Sequence, residues 1–318
     1  MVDTNPFHAA PHSNVPTATP LERRCQTETV SFDIWNVCSI MDSFFTLPLI
    51  DLSGRFVQVT FKIILVPTKQ DALMKTREAQ ALGQSISIQL QANRPDQAFA
   101  LLAPILAKRT PFAMLRRIGA EIGQNPLERV DSLLVRIASA KTEGGWPLIG
   151  GVLAAQLTMD LSASLDRCQS FIRGADIWHA ADTLGEWVVG QALVDHFQST
   201  LDLLRPWRED PNVWIRRAVG TSVHYWAKRS RGAEELIPQT KTLLSFLEPL
   251  FEEQEIVAVK GIGWGLKTLG KHYPDLLSSW LERQVVKGQR PHRSLMLRKA
   301  TTYLPEAQIN RLVGNTIR

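Results

Sequence analysis

From Asp71 to the end of the chain, segments with apolar residues at helical spacing follow one another with only short breaks between them. The spacing predicts helices over 72–91, 97–107, 111–122, 126–140, 146–159, 162–172, 176–193, 197–205, 211–229, 237–251, 254–271, 274–286, 293–301 and 305–313. The breaks carry Asn93-Arg94-Pro95, Thr110-Pro111, Asn125-Pro126, Gly144-Gly145, Asp210-Pro211, Tyr273-Pro274, Arg290-Pro291 and Leu304-Pro305. Proline suits a helix start because its missing N–H is one the first turn cannot use. Helix pairs joined by short turns point to an all-α fold, a HEAT-like α-solenoid in which antiparallel pairs stack into a curved superhelix. The repeat is irregular, with 36 positions from Trp178 to Trp214 and 50 from Trp214 to Trp264. A helical bundle is the alternative.

The first 73 residues read differently. Residues 1–21 are rich in Pro, Asn, Ser, Thr and Ala, a composition that favours disorder. Residues 29–66 resemble short strands, with β-branched and aromatic residues between Val57 and Val66. Residues 1–73 hold five basic and seven acidic residues, so the remainder carries about +7 of the net +5. The reading is an N-terminal extension over 1–73, disordered or loosely packed, and a helical domain over 74–318, with Met74 as an alternative start.

With 318 residues and 44% apolar content, the chain can bury one or two cores. No apolar run reaches membrane-span length, and the N-terminus lacks the pattern of a secretory signal. Cys25, Cys38 and Cys168 have neither metal-ligand nor disulfide spacing, which fits a reducing cytosol. The expected location is cytoplasmic, with no membrane association. No phosphate loop, H-E-x-x-H or G-x-S-x-G is present, and no metal or organic cofactor is implied.

Three segments each carry a second stripe that a core would not want. Trp178 and Asp182 sit one turn apart, away from the apolar positions Ile177, Ala181, Leu184 and Val188. On 211–229, Trp214, Arg217, Thr221, His224 and Lys228 oppose Ile215, Val219, Ser222 and Trp226. On 254–271, Lys260, Trp264, Lys267 and Lys271 oppose Val259, Ile262, Leu266 and Leu269. Stacked side by side, these helices present a basic, aromatic surface with one carboxylate in it. That surface suits an electron-poor or cationic group attached to a polyanion. A further basic run, 283–299, holds six cations and no acid; a solvated face is its plain alternative.

At these residues the chain resembles the AlkD-type DNA alkylation repair proteins, HEAT-like alkylpurine DNA glycosylases. The likeness covers roughly 74–300 and is densest in three blocks. The family's W-D-x-x-D stands here as Trp178-His179-Ala180-Ala181-Asp182. Its N-x-W-x-x-R-A is Asn212-Val213-Trp214-Ile215-Arg216-Arg217-Ala218. Its K-A-I-G-W-x-L-R-x-x-x-K-x-x-P is Lys260-Gly261-Ile262-Gly263-Trp264-Gly265-Leu266-Lys267, then Lys271 and Pro274. His179 replaces the usual acid, Gly261 an alanine and Lys267 an arginine.

The resemblance implies a catalytic Asp182, flanking aromatics Trp178 and Trp264, and a DNA-contacting Arg217. The expected phosphate contacts are Arg217, Lys260, Lys267, Lys271 and Thr221, together with the 283–299 cluster. The implied partner is duplex DNA bearing N3- or N7-alkylated purines, bound by a monomer with no obligate protein partner and without flipping the base into a pocket. Read without the resemblance, Asp182 is a structural acid paired with Arg217 across neighbouring helices, and Glu186 is a rival carboxylate one turn on. Trp214 reads as packing between repeats, Trp187, Trp207, Trp226 and Trp280 as core, and His224 as a solvated histidine. The alternative function is a non-catalytic helical-repeat module that binds DNA structures or a protein partner.

Overall fold

The structure is a computed structural model that describes residues 44–50, 56–62, 74–285 and 291–316. Two strands, β1 (Phe44–Ile50) and β2 (Phe56–Lys62), pair antiparallel, with Phe44 opposite Lys62 and Ile50 opposite Phe56. The strand reading of residues 29–66 thus holds for these two stretches. The alternation Phe56-Val57-Gln58-Val59-Thr60-Phe61 supplies the β-branched and aromatic residues that a pleated ladder favours. The rest of the expected extension, and residues 286–290 of the basic run, lie outside the described residues. The hairpin and the helices are separate compact units.

The helical unit is all-α. Its elements are α1 (Thr76–Gln91), α2 (Pro95–Leu106), α3 (Phe112–Ile122), α4 (Leu127–Ser139), α5 (Gly145–Gln156), α6 (Leu161–Ala175), α7 (Trp178–Leu184), α8 (Gln191–Asp195) and α9 (Phe197–Leu204). Then come α10 (Val213–Ser230), α11 (Ile237–Leu247), α12 (Ile256–His272), α13 (Pro274–Val285), α14 (Arg293–Ala300) and α15 (Glu306–Thr316). These follow the expected helices in order. The predicted 176–193 helix is divided: a π-helical stretch, Gly185–Gly190, joins α7 to α8.

The helices alternate between two layers. In one layer α1 packs on α3, α3 on α5, α5 on α7, α7 on α10, α10 on α12 and α12 on α14. In the other, α2 meets α4, α4 meets α6, α6 meets α9, α11 meets α13 and α13 meets α15. Each pair buries the apolar stripe that its sequence carries. Val219 and Val223 of α10, and Ile262, Leu266 and Leu269 of α12, have no exposed surface. Trp146, Trp207, Trp226 and Trp280 lie in the same core. This is the stacked-pair architecture of an α-solenoid, in which one core runs continuously between the layers.

α10 and α12 approach each other closely. A Cβ on Gly220 would come within 2.3 Å of the Gly261 backbone, and one on Gly261 within 2.6 Å of the Arg217 side chain. Glycine at both positions therefore lets the two backbones touch and leaves room for Arg217. The alanine of the family pattern at position 261 would require a shift.

Candidate active site

The second stripes of α7, α10 and α12 fall on neighbouring helices of one layer. The local sequence fixes each in turn. Asp176 ends α6 in the left-handed region, φ 51°, which aspartate tolerates better than most residues. Its Oδ1 accepts the Trp214 indole N–H at 2.6 Å, so Trp214 ties two repeats together, as its packing reading expected. The chain then turns through extended Ile177 into α7, whose first residue, Trp178, is 51% exposed.

α10 starts at an N-cap. The Asn212 side chain accepts the backbone N–H of Trp214 at 2.9 Å and of Ile215 at 3.3 Å. Asp210 in turn accepts the Asn212 N–H at 2.8 Å, and Arg173 donates to its other oxygen at 2.6 Å. The two successive arginines then each fork onto a different carboxylate. Arg216 grips Glu253 through Nε at 2.7 Å and Nη2 at 3.1 Å. Arg217 grips Asp182 through Nε and Nη2, both at 2.7 Å, and its Nη1 donates to the Val257 carbonyl at 2.9 Å. The Asp182 and Arg217 side chains are 13% and 10% exposed. Burial pushes the Asp182 carboxyl above its ordinary range, while the Arg217 fork and nearby His179 pull it back.

Arg217, expected on a DNA phosphate, is thus turned to Asp182 with three of its five donors occupied. Thr221 also departs from its expected role. It has no exposed surface, its hydroxyl donates to the Ala218 carbonyl at 3.1 Å, and it closes against Gly185, where a Cβ would come within 2.2 Å of its oxygen. The stripe points at the neighbouring π turn at this level, so Thr221 offers nothing to a DNA backbone.

On α12, Trp264 is partly buried and stacks on His224 of α10, with ring centroids 3.9 Å apart and 24° between planes. His224 is not solvated, as the sequence had suggested; its Nδ1 lies 2.6 Å from the Thr268 hydroxyl. Burial pushes His224 down to about 3, aided by Lys228, Lys267 and His272, so it is neutral at pH 7. Lys260 and Lys271 are exposed and Lys267 is partly buried. The ammonium groups of Lys267 and Lys271 lie 5.0 and 5.5 Å from the Tyr303 ring, a distance at which the ring face attracts a cation. Lys299 of α14 lays its stem over Gly263. Burial lowers the Lys299 ammonium, and the charges of Lys267, Arg217, Lys260 and Arg298 lower it further.

Tyr303 and Lys299 are residues that the sequence reading did not single out by name. Lys299 stood within the 283–299 run, whose described part thus reaches the site through one lysine. His179, in place of the usual acid, sets its ring edge-on to Trp178 at 5.6 Å, and its Nε2 is enclosed without a hydrogen-bond partner among the described residues.

The fold and site define a helical-repeat protein in which a forked carboxylate, two tryptophans and several lysines stand on neighbouring helices of one layer. The family model described as DNA alkylation repair enzyme matches residues 113–304, and the chain belongs to that family. All of the site residues fall inside the match. No curated protein and no solved structure matches the chain.

Proposed function

We propose that this DNA repair protein is a glycosylase that hydrolyses the N-glycosidic bond of N3- and N7-alkylated purines in duplex DNA. The observation that carries the reading is the Asp182 carboxylate, held by Arg217 on one helix while Trp178 and Trp264 stand on its own helix and on the second helix beyond. An alkylated purine of this kind is already cationic, so it leaves without a strong acid. As the bond breaks, positive charge grows on the deoxyribose. A desolvated, fixed carboxylate stabilises that charge and orients the attacking water. Each indole face adds about 0.5–2 kcal/mol toward a nearby cation.

Lys260, Lys267, Lys271 and Lys299 form the phosphate track. Arg217 sits behind it and fixes Asp182. The base is excised without entering a pocket, a mode that the resemblance suggests and that spares the enzyme a shaped base-binding cavity. The test is to incubate the protein with methylated duplex DNA and measure the free bases. Release of 3-methyladenine or 7-methylguanine supports the reading. Binding without release returns the protein to the non-catalytic alternative.

A further inference from the structure

Glu186 lies one turn beyond Asp182, on the π-helical stretch between α7 and α8. It is only partly exposed, and among the described residues no hydrogen bond or ion pair holds it. Asp182, by contrast, is forked by Arg217. The charges that act on Glu186 come from three helices of the site layer: Asp182 on its own helix, Lys228 on α10 and Arg116 on α3. Arg116 reaches across α5 to within 5.4 Å of the neighbouring Trp187 ring, and α5 itself brings no titratable group. A carboxyl group so placed has water on one side, a carboxylate on another and no partner to keep it ionised.

Burial pushes both carboxyl groups up, but only Asp182 has a guanidinium fork that favours its charge, and two carboxyl groups that differ in this way can divide the roles of base and acid. Arg217 holds the charge of Asp182. Burial pushes Glu186 up to about 7, Asp182 adds to the rise, and Lys228 and Arg116 oppose it. A cationic purine has no use for an acid, because the alkyl group has already supplied the charge. A purine adduct without charge does need one.

We propose that Glu186 is a proton donor to the departing base, and that it extends excision to purine adducts that carry no charge. The inference rests on the glycosylase reading. In the step, the bond between C1′ and the purine nitrogen breaks and its electron pair stays with the base. The Glu186 proton passes to a purine ring nitrogen. Water adds to C1′, and its proton leaves through the Asp182 carboxylate to solvent, from which Glu186 is reprotonated. The products are the free purine and an abasic deoxyribose.

The experiment uses the full chain and two duplex oligonucleotides, one with a single N7-methylguanine and one with a single 1,N6-ethenoadenine. The wild type should release both. Glu186→Gln should lower ethenoadenine release about a hundredfold, the low end of general-acid effects, and lower the ratio of ethenoadenine to N7-methylguanine release at least about tenfold. Wild-type ethenoadenine release should also decline as pH rises through about 7, where Glu186 loses its proton. Glu186→Asp, which keeps the acid, should restore part of the ratio. Release of N7-methylguanine without ethenoadenine from the wild type, or an equal loss of both in Glu186→Gln, overturns the proposal. Release of neither base overturns the glycosylase reading along with it.

Discussion

Arg217 of α10 holds both oxygens of Asp182 on the neighbouring α7 at 2.7 Å, and its Nη1 donates a third bond to the Val257 carbonyl of α12 on the other side at 2.9 Å. The fork ties α7, α10 and α12 through one side chain. Removing a partner from so buried a pair costs about 3–5 kcal/mol, because the other charge is left unpaired. Arg217→Ala should therefore lower the melting temperature by several degrees. It should also move the acidic limb of the excision profile to higher pH. The sign follows from the cause: without the guanidinium, burial alone acts on Asp182 and its pKa rises further, so a higher pH is needed to ionise it. Unchanged pH dependence in a folded Arg217→Ala protein would show that the arginine does not set the charge of Asp182.

Gly261 leaves the space that Arg217 fills, since a Cβ there would lie 2.6 Å from both the Arg217 side chain and its carbonyl. Gly261→Ala should destabilise the protein by about 1–3 kcal/mol, the range for overpacking a tight contact. Excision should fall as the fork is displaced. Thermal melting and base release, measured together, check both effects.

His224 is kept neutral by burial, with its folded value near 3 against an ordinary 6.5. A histidine with a depressed value is protonated more readily when unfolded. Stability should therefore decline as pH falls from about 6.5 toward 3, and His224→Phe, which keeps a ring under Trp264, should flatten that decline. Allowing for partial exposure, the effect at pH 4 is about 2 kcal/mol. Melting curves from pH 4 to 7 for the two proteins provide the comparison, and an identical pH slope in both would remove His224 as its source.

Lys260, Lys267, Lys271 and Lys299 are expected to carry the phosphate contacts. Each such contact contributes about 0.9 to the slope of log affinity against log salt on B-form DNA. Neutralising Lys260 and Lys267 together should flatten the slope by nearly two units, whereas an unchanged slope would mean that this face is only solvated.

The helices were legible because periodicity and proline act locally. Pro111, Pro126 and Pro274 each open a helix within a residue of the expected place. The π-helical stretch was not legible, since over the six residues Gly185–Gly190 a wider turn leaves the apolar spacing of Val188 and Val189 unchanged to the eye. Of the candidate site, the stripes correctly brought Asp182, Arg217 and Trp264 onto adjacent helices. They failed at Thr221 and His224 for one reason. A stripe names a face but not what closes over it, and Gly185 and Trp264 close over these two. Tyr303 and Lys299 come from a short 3-10 turn and a helix beyond α12, where nothing in the local pattern points back to Trp264.

The central claim is that the Asp182 carboxylate performs the excision, and single-turnover base release from methylated duplex DNA by Asp182→Asn tests it most directly. Asn keeps the shape and removes the charge. Release, normalised to folded protein, should fall by about two to three orders of magnitude, the effect of losing one preorganised electrostatic contact in a water-poor site. DNA affinity should hold or rise, because one negative charge has left a face that meets phosphates. Undiminished release by a folded, DNA-binding Asp182→Asn protein would contradict the account.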